Sequence, residues 1–266
     1  MDKNSLLSIG LFSEYTGIPV TTLLYYDKKG LFKPALRGEN NYRYYSYFQT
    51  ISIKLINVLK NCGVPLNKIK AITKNRTPEE LLELLLIKEK EIPLELEQLQ
   101  ESLKLVKVFR NNICKGLSIV NDEVSQSYMT GDSFTLGPPN DFSSDDSFYG
   151  AYQRYIRHTI GSGGNLCYPV GGWWSSFDKY IEKPTRPERF ISSDPDGDHS
   201  RPPGKYLVGY ARCFYGEPTN LPERIAGYAS AHYLDFDGPL INIFLLDEVS
   251  IIEPDRYLLQ ASIKVK

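Results

Sequence analysis

Side chains able to recognise another molecule are concentrated near the N-terminus of the 266-residue chain. The segment 20–29 carries hydroxyl, phenol and ammonium groups, contributed by Thr21, Thr22, Tyr25, Tyr26, Lys28 and Lys29. Groups of these types hydrogen-bond phosphates and base edges in a DNA major groove. A Gly-Glu-Asn-Asn turn follows, with Arg37 before it and Tyr42 and Arg43 after it. This pattern predicts a basic and aromatic hairpin that contacts neighbouring phosphates.

Short helices must position these groups. Ile9, Phe12 and Tyr15 recur at helical spacing, Gly17 interrupts them, and Pro19 suits the first position of a second helix. A capping box over 46–49 predicts a third helix that ends near residue 61, and 66–73 predicts a fourth. Lys60, at the end of the third helix, is either a phosphate contact or an ordinary solvated lysine.

The pattern resembles the winged helix-turn-helix head of MerR-family transcription regulators. The elements that carry the resemblance are Tyr25-Tyr26-Asp27, Gly30-Leu31, Pro34 and Tyr42-Arg43-Tyr44-Tyr45. The resemblance implies a DNA-binding head whose contacts are Thr21, Thr22, Tyr25, Tyr26, Lys28, Arg37, Tyr42, Arg43 and Lys60. The alternative is that the tyrosines only pack the core of a small helical domain.

A long helix is predicted to open at Thr77-Pro78-Glu79-Glu80, where Thr suits the N-cap and Pro the first helical position. Apolar residues then alternate at spacings of three and four, as in a coiled-coil seam: Leu81, Leu85, Ile92, Leu96, Leu99, Leu103 and Val106. Pro93 predicts a bend or two pieces. The resemblance implies an antiparallel pairing of this helix with its copy, and therefore a homodimer that binds a palindrome.

The N-terminal part of the chain and the remainder differ in net charge. Residues 1–77 hold twelve Lys and Arg against four Asp and Glu, although the whole chain has a net charge of −1. A basic head on an acidic body is expected when only the head meets phosphates. No signal peptide and no membrane-length apolar run is recognisable, so a cytoplasmic protein without membrane contact is expected.

Neither catalytic nor metal-binding residues are predicted, and no cofactor is expected. Cys62, Cys114, Cys167 and Cys213 are scattered without a paired spacing. The acidic segment 194–198 resembles the start of a calcium loop but lacks the distal glutamate, which favours a polar turn. The three histidines stand apart from any nucleophile motif.

The C-terminal part has short apolar stretches at 206–213, 240–246 and 257–265, which predict strands, and helical patterns near 148–158 and 219–229. This order predicts an α+β domain. It resembles the GyrI-like effector domain of the multidrug-responsive MerR branch. The predicted organisation is a winged helix-turn-helix over 1–76, a coiled-coil dimerisation helix over 77–114 and a GyrI-like ligand-binding domain over 115–266.

Relatives bind flat apolar drugs between aromatic rings, so the resemblance implies a ligand site lined by rings. The candidates are Tyr149, Tyr152, Tyr168, Trp173, Trp174, Tyr206, Phe244 and Tyr257. For each ring, core packing is the alternative, and of two adjacent tryptophans on a strand only one can face a cavity. Cation-binding relatives carry a glutamate on the strand that corresponds to 240–246, where this chain has none. Asp247 and Glu248 lie just beyond, in an expected exposed turn, so the sequence predicts selection by aromatic area more than by positive charge.

The resemblance therefore implies a homodimeric transcription activator that binds double-stranded promoter DNA and distorts it for RNA polymerase when a small hydrophobic aromatic ligand is bound. Two other functions stay open at this point. A GyrI-like hydrolase with a DNA-binding head would turn over a small molecule. A constitutive DNA-binding protein would show no response to a ligand.

Overall fold

The computed structural model describes residues 6–74, 77–140, 142, 148–162 and 165–266. The chain has an α+β fold whose contacts divide it into two units, Met1–Leu99 and Gln100–Lys266. The boundary falls within the longest helix. The three predicted domain ranges stay a prediction.

The N-terminal unit is a small winged helix-turn-helix. In chain order its elements are β1 (Leu6–Ser8), α1 (Ile9–Thr16), α2 (Val20–Lys29), β2 (Leu36–Arg37), β3 (Arg43–Ser46), α3 (Gln49–Asn61) and α4 (Leu66–Lys74). The strands form an antiparallel sheet in the order β1-β3-β2, so the predicted hairpin is present and gains an additional strand. Phe12 packs at the centre, with its ring 4.4 Å from Tyr45 and 6.0 Å from Phe32.

Local capping follows the sequence with small differences. Ser8 caps α1 by accepting from the Leu11 N–H at 3.2 Å, and Gly17 ends it in the left-handed conformation at φ 69°. Pro19 is the N-cap of α2 rather than its first residue. Only half of the predicted capping box forms, because the Gln49 side chain accepts from the Ser46 N–H at 3.0 Å while α3 itself begins at Gln49.

Helix α5 (Pro78–Ser118) is one continuous helix of 41 residues that contains Pro93. The Thr77 hydroxyl caps it by accepting from the Glu80 N–H at 3.3 Å. The alternative of two helical pieces is therefore wrong. Proline removes one backbone hydrogen bond, but the residues around it, 89–100, are exposed, so water can satisfy the freed carbonyl.

The C-terminal unit places helices against a curled antiparallel sheet. Its strands are β4 (Ser125–Met129), β5 (Asp132–Pro139), β6 (Val170–Trp174), β7 (Arg189–Ser192), β8 (His199–Arg201), β9 (Gly204–Arg212), β10 (Phe236–Leu246) and β11 (Leu258–Val265). Its helices, besides the end of α5, are α6 (Phe148–Gly161), α7 (Phe177–Glu182) and α8 (Leu221–Ala231). The strand order is β4-β9-β11-β10-β6-β7-β5-β8.

The three predicted strands and both predicted helices of this unit are confirmed as β9, β10, β11, α6 and α8. The central strand β11 is buried along almost its whole length. Leu259, Ala261 and Ile263 share one apolar cluster with Leu221 and Ile225 of α8. The strands that the sequence did not predict, β4 to β8, are shorter or contain Gly and Pro, which weakens their apolar alternation.

Candidate DNA-binding surface and aromatic cavity

The predicted DNA contacts lie mostly on the surface of the N-terminal unit. On α2, Thr21 and Lys28 are exposed, and Tyr25 keeps 45% of its surface accessible. Tyr42 on the hairpin and Lys60 at the end of α3 are also exposed, while Thr22 is half-buried. These positions leave hydroxyl, phenol and ammonium groups free to meet a duplex.

The structure corrects the prediction that Tyr26 contacts DNA. Its side chain is only 2% exposed and belongs to the apolar core of the unit, together with Phe12 and Leu23. It follows Tyr25 by one position on α2, and a rotation of about 100° per residue turns one ring to the surface and the next to the core. Tyr26 therefore packs the head, as the alternative interpretation proposed for the tyrosines.

A buried carboxylate anchors the hairpin. Asp27 Oδ2 on α2 accepts from Arg37 Nη2 and from Arg43 Nε, each at 2.6 Å, and the Asp27 side chain is 2% exposed. Arg37 also donates to Asn41 Oδ1 at 2.9 Å within the turn. A doubly paired carboxylate fixes β2 and β3 on α2, because moving either arginine away leaves buried charge uncompensated. Burial, and secondarily Asp27, raises the pKa of the neighbouring Tyr45 to about 12.

The C-terminal unit contains a cavity of about 410 Å³, within the range typical of small-molecule sites. Five of the predicted ligand residues line it: Tyr149, Tyr152, Tyr168, Trp174 and Phe244. Tyr149 is 59% exposed at the entrance, whereas Tyr168 and Trp174 are 2% and 1% exposed. The cavity therefore joins an accessible ring to buried ones.

The other three predicted rings lie outside the lining. Trp173 projects from the opposite face of β6 to Trp174 and packs near Phe134 and Ile241, as expected for adjacent residues of a strand. Tyr206 lines a separate, smaller cavity and donates its hydroxyl to the Pro202 carbonyl at 2.7 Å. Tyr257 packs against Tyr215, which lines the cavity, with 5.5 Å between the ring centroids.

Sequence reasoning missed several lining residues. The additional rings are Phe109 of α5, Phe148, Phe190, Phe214 and Tyr215. Tyr215 contacts Phe244 edge to face at 4.7 Å between centroids, so it forms part of the same wall. The aromatic density of this half was a usable signal, but no local pattern shows that a ring from the long helix joins the cavity.

The floor of the cavity is made of backbone. Gly172 on β6 donates its N–H to Asn242 Oδ1 at 2.7 Å. A side chain at Gly172 would begin 2.7 Å from the Trp174 ring and 2.8 Å from Asn242 Oδ1. Trp174 is held in turn by its indole N–H, which donates to the Lys183 carbonyl at 3.0 Å. Gly172 thus leaves room where any other residue would collide.

Three carboxylates line the cavity, from Glu217, Asp247 and Glu248. Asp247 is half-buried and Glu248 is exposed, in the turn after β10. Burial raises the pKa of Asp247, and burial followed by the charges of Asp247 and Glu248 raises the pKa of Tyr215. Among the described residues, neither Asp247 nor Glu248 forms a salt bridge. Asp247 and Glu248 lie directly after β10, as the sequence predicts, and both border the cavity, so carboxylates reach it although the strand itself carries none.

Most of the predicted seam on α5 is exposed in the single chain, but Leu81 is partly buried and packs against the core of the N-terminal unit. Leu96, Leu99 and Leu103 keep 54%, 68% and 53% of their surface accessible. A row of exposed leucines at coiled-coil spacing is unfavourable in water unless a partner covers it. Leu84, which lies off the seam, is instead 4% exposed and packs in the core of the N-terminal unit.

The remaining sequence signals have ordinary structural roles. The 194–198 segment is a turn in which the Gly197 N–H donates to the Asp194 carbonyl at 3.0 Å. Within the described residues, no cluster of three or more His, Cys, Asp or Glu side chains could hold a metal ion. None of the described helices combines the length and the apolar character needed to span a membrane.

Comparison with known families identifies the head. Residues 8–45, which include α1, α2 and the hairpin with its Asp27 anchor, match the MerR family regulatory protein. The N-terminal domain belongs to the MerR family. The chain therefore carries the DNA-binding head of a MerR-family transcription regulator.

Two similar proteins come from Bacillus subtilis (strain 168). The multidrug-efflux transporter 2 regulator is 27% identical over 256 residues, 94% of this chain and 93% of that protein. The multidrug-efflux transporter 1 regulator is 37% identical over 109 residues, 40% of this chain and 39% of that protein. A cryo-EM structure of an EcmrR–DNA complex in EcmrR-RPo is similar over 98% of this chain and 99% of that chain, with 15% identity and a TM-score of 0.39.

Proposed function

We propose that this MerR-family regulator binds a promoter palindrome as a homodimer and distorts the DNA when an aromatic cation occupies the cavity of the C-terminal unit. The observation that carries the proposal is the cavity itself, whose lining combines aromatic rings with the carboxylates of Glu217, Asp247 and Glu248. Among the described residues, none of these carboxylates forms a salt bridge. The relatives named as multidrug-efflux transporter regulators support a multidrug-type ligand. Activation through RNA polymerase follows from the family resemblance.

The ligand class follows from the lining. Stacking on rings such as Tyr152 and Tyr168 favours flat apolar molecules, and cation–π attraction adds about 0.5–2 kcal/mol per contact. Asp247 and Glu248 supply negative charge, whereas the described part of the lining contains no lysine or arginine. A cation that enters therefore recovers part of its lost hydration from carboxylates. The proposal departs from the sequence-based prediction of selection by aromatic area more than by positive charge.

The experiment saturates the protein with tetraphenylphosphonium, an aromatic cation that lacks a planar intercalating surface, and follows a selected operator duplex. Ligand-dependent DNA distortion and increased transcription in vitro would support the proposal. Equal distortion with and without ligand would indicate a constitutive DNA-binding protein. Chemical conversion of an ester-bearing aromatic ligand would favour the hydrolase, which the DNA-binding family assignment makes the weaker candidate.

The hairpin arginines permit a test of the DNA surface. Arg43→Ala should weaken binding to all duplexes alike and lower the magnitude of the salt slope by about one, because one phosphate contact is lost. The measurement is affinity for specific and random duplexes between low and moderate salt.

The matched control is Asp27→Asn, which removes the anchor of Arg43 but keeps its charge. It should reduce affinity through a misplaced hairpin without removing a cation. If both variants leave the salt slope unchanged, Arg43 acts only by holding the hairpin.

Tryptophan emission tests which ring meets the ligand. A bound aromatic cation should quench the tryptophan emission of the Trp173→Phe variant, which retains Trp174 in the cavity. The reciprocal variant, Trp174→Phe, should lose most of the quenching, since Trp173 lies on the other face of β6. Fluorescence titration measures both. Quenching that depends on Trp173 instead would place the ligand outside this cavity.

A further inference from the structure

The wall of the cavity is bonded to helix α5 through one carboxylate. Glu101 Oε1 accepts from the Tyr168 hydroxyl at 2.9 Å and from Asn165 Nδ2 at 3.0 Å. Lys104, one turn further along α5, lies 3.5 Å from Glu101 Oε2 and also pairs with Asp196. All of these residues belong to the C-terminal unit.

The ring and the hydroxyl of Tyr168 contact different parts of the C-terminal unit. Its ring lines the cavity and is almost completely buried, while its hydroxyl reaches out of the lining to α5. Asn165 behaves similarly, because its side-chain carbonyl accepts from the N–H of Cys167, another lining residue, at 2.9 Å. The segment 165–168 therefore links the surface that a ligand would touch to a helix that carries the exposed leucine row.

The bond is of a strong type. A hydrogen bond from a phenol to a carboxylate is charge-assisted and directional. In agreement with that geometry, the bonds from Tyr168 and Asn165 lower the pKa of Glu101. Phe109, about two turns after Glu101 on α5, lines the same cavity, so the helix meets the ligand site at two levels.

We propose that Glu101 is a coupling residue, which transmits occupancy of the cavity to α5 through the hydroxyl of Tyr168. A ligand stacked on the Tyr168 ring fixes the ring, and the Glu101 bond requires α5 to follow. The inference rests on the proposed function of the cavity as a ligand site. It assigns a role that differs from binding, because the hydroxyl points to the helix and leaves the ring free for the ligand.

Coupling is measurable because it is reciprocal. If a ligand changes affinity for DNA by some factor, DNA must change affinity for the ligand by the same factor, typically about 5- to 150-fold. The experiment measures tetraphenylphosphonium affinity of the full-length protein with and without saturating operator duplex. The ratio of the two dissociation constants is the coupling factor.

Tyr168→Phe keeps the ring and removes the hydroxyl. Its coupling factor, measured against the variant's own affinity for tetraphenylphosphonium in the absence of DNA, should fall towards one. Glu101→Ala should have the same effect. Glu101→Gln retains an oxygen that can accept from Tyr168 and should restore much of the coupling, which a purely structural role for Glu101 would not explain.

The matched control is Tyr128→Phe, which removes a phenol of the C-terminal unit that is 69% exposed and lies outside the cavity lining. Among the described contacts, its hydroxyl makes no bond to α5, so the coupling factor should stay at the value of the unmodified protein. Thermal unfolding confirms that each variant is folded.

The outcomes separate the two proposals. If the unmodified protein binds the probe and couples it to DNA, but Tyr168→Phe and Glu101→Ala couple equally well, the coupling role is overturned and the proposed function stands. If the unmodified protein neither binds the probe nor couples it to DNA, the proposed function fails and the coupling role fails with it. Selective loss of coupling in both variants, with the control unchanged, supports the inference.

Discussion

Leu99→Asp should convert the regulator into a monomer. In an antiparallel pair of α5 helices, this substitution buries an uncompensated carboxylate twice, and each costs several kcal/mol. We therefore expect dimer affinity to fall by at least about 100-fold. Palindrome affinity should fall with it, by about 10²- to 10⁴-fold, because two linked heads become two independent ones. Sedimentation velocity and binding to full and half operators measure both effects.

Leu94→Asp is the matched control for this variant. Leu94 is also exposed on α5, but it lies two residues from both Ile92 and Leu96, about 200° around the helix from the seam. The same charge at this position should leave the dimer intact. A Leu99→Asp protein that sediments as a dimer and binds the palindrome normally would contradict the proposed interface.

Removing the carboxylates Asp247 and Glu248 together should abolish the preference of the cavity for cations. The useful ligand pair is N-methylquinolinium and its neutral isostere 1-methylnaphthalene, which present the same flat area. Near a protein surface, the Coulomb attraction between a unit positive charge and a carboxylate about 5 Å away is about 3 kcal/mol. Solvation of the exposed Glu248 reduces this attraction. Asp247→Asn with Glu248→Gln should therefore weaken cation binding about 10- to 100-fold and change neutral binding little.

Acidification offers an independent measurement of the same effect. Burial raises the pKa of Asp247, so its carboxylate is ionised above that raised value and becomes neutral as pH falls through it. Cation affinity should be complete at neutral pH and begin to fall at a higher pH than an ordinary aspartate, with a pKa of about 3.9, would predict. The neutral isostere should show no such dependence in calorimetric titrations.

The control for the carboxylates is Asp237→Asn. Asp237 lies at the separate smaller cavity and pairs with Lys264 at 3.6 Å, so its removal should not alter binding of either ligand. Equal losses for N-methylquinolinium and 1-methylnaphthalene in the double variant would indicate damage to the cavity instead of a lost counter-charge.

The head was predictable from sequence because its signals are local. The spacing of Ile9 and Phe12, the interruption at Gly17 and the turn after Arg37 each determine structure within a few residues. The burial of Tyr26 depends instead on which side of α2 meets the core, and the pairing of Arg43 with Asp27 crosses 16 positions of sequence. Residue type alone indicated a phosphate contact for Arg43 but could not show its anchor.

The cavity was predictable only in part, since its walls come from distant segments. The family resemblance suggested the rings of α6 and β10 that the structure places along one cavity, and the opposite faces of Trp173 and Trp174 followed from strand geometry. Phe109 and Glu101 lie within a helix whose pattern signals a coiled coil, so nothing local indicates a second role. The sequence left open whether Asp247 or Glu248 reaches the cavity, because the position of a turn relative to walls from distant segments depends on the folded chain.

The glycine floor restricts how the range of ligands can change during evolution. At Gly171 an added side chain would begin 2.1 Å from the Asn242 carbonyl oxygen, and Gly172 is similarly confined by Trp174. Substitutions there would disturb the sheet before they altered selectivity. Descendants of this protein should therefore acquire new ligands through the turns at 214–217 and 247–249, which lie outside the paired strands. Variation between related genes should be concentrated in those turns while the floor stays invariant.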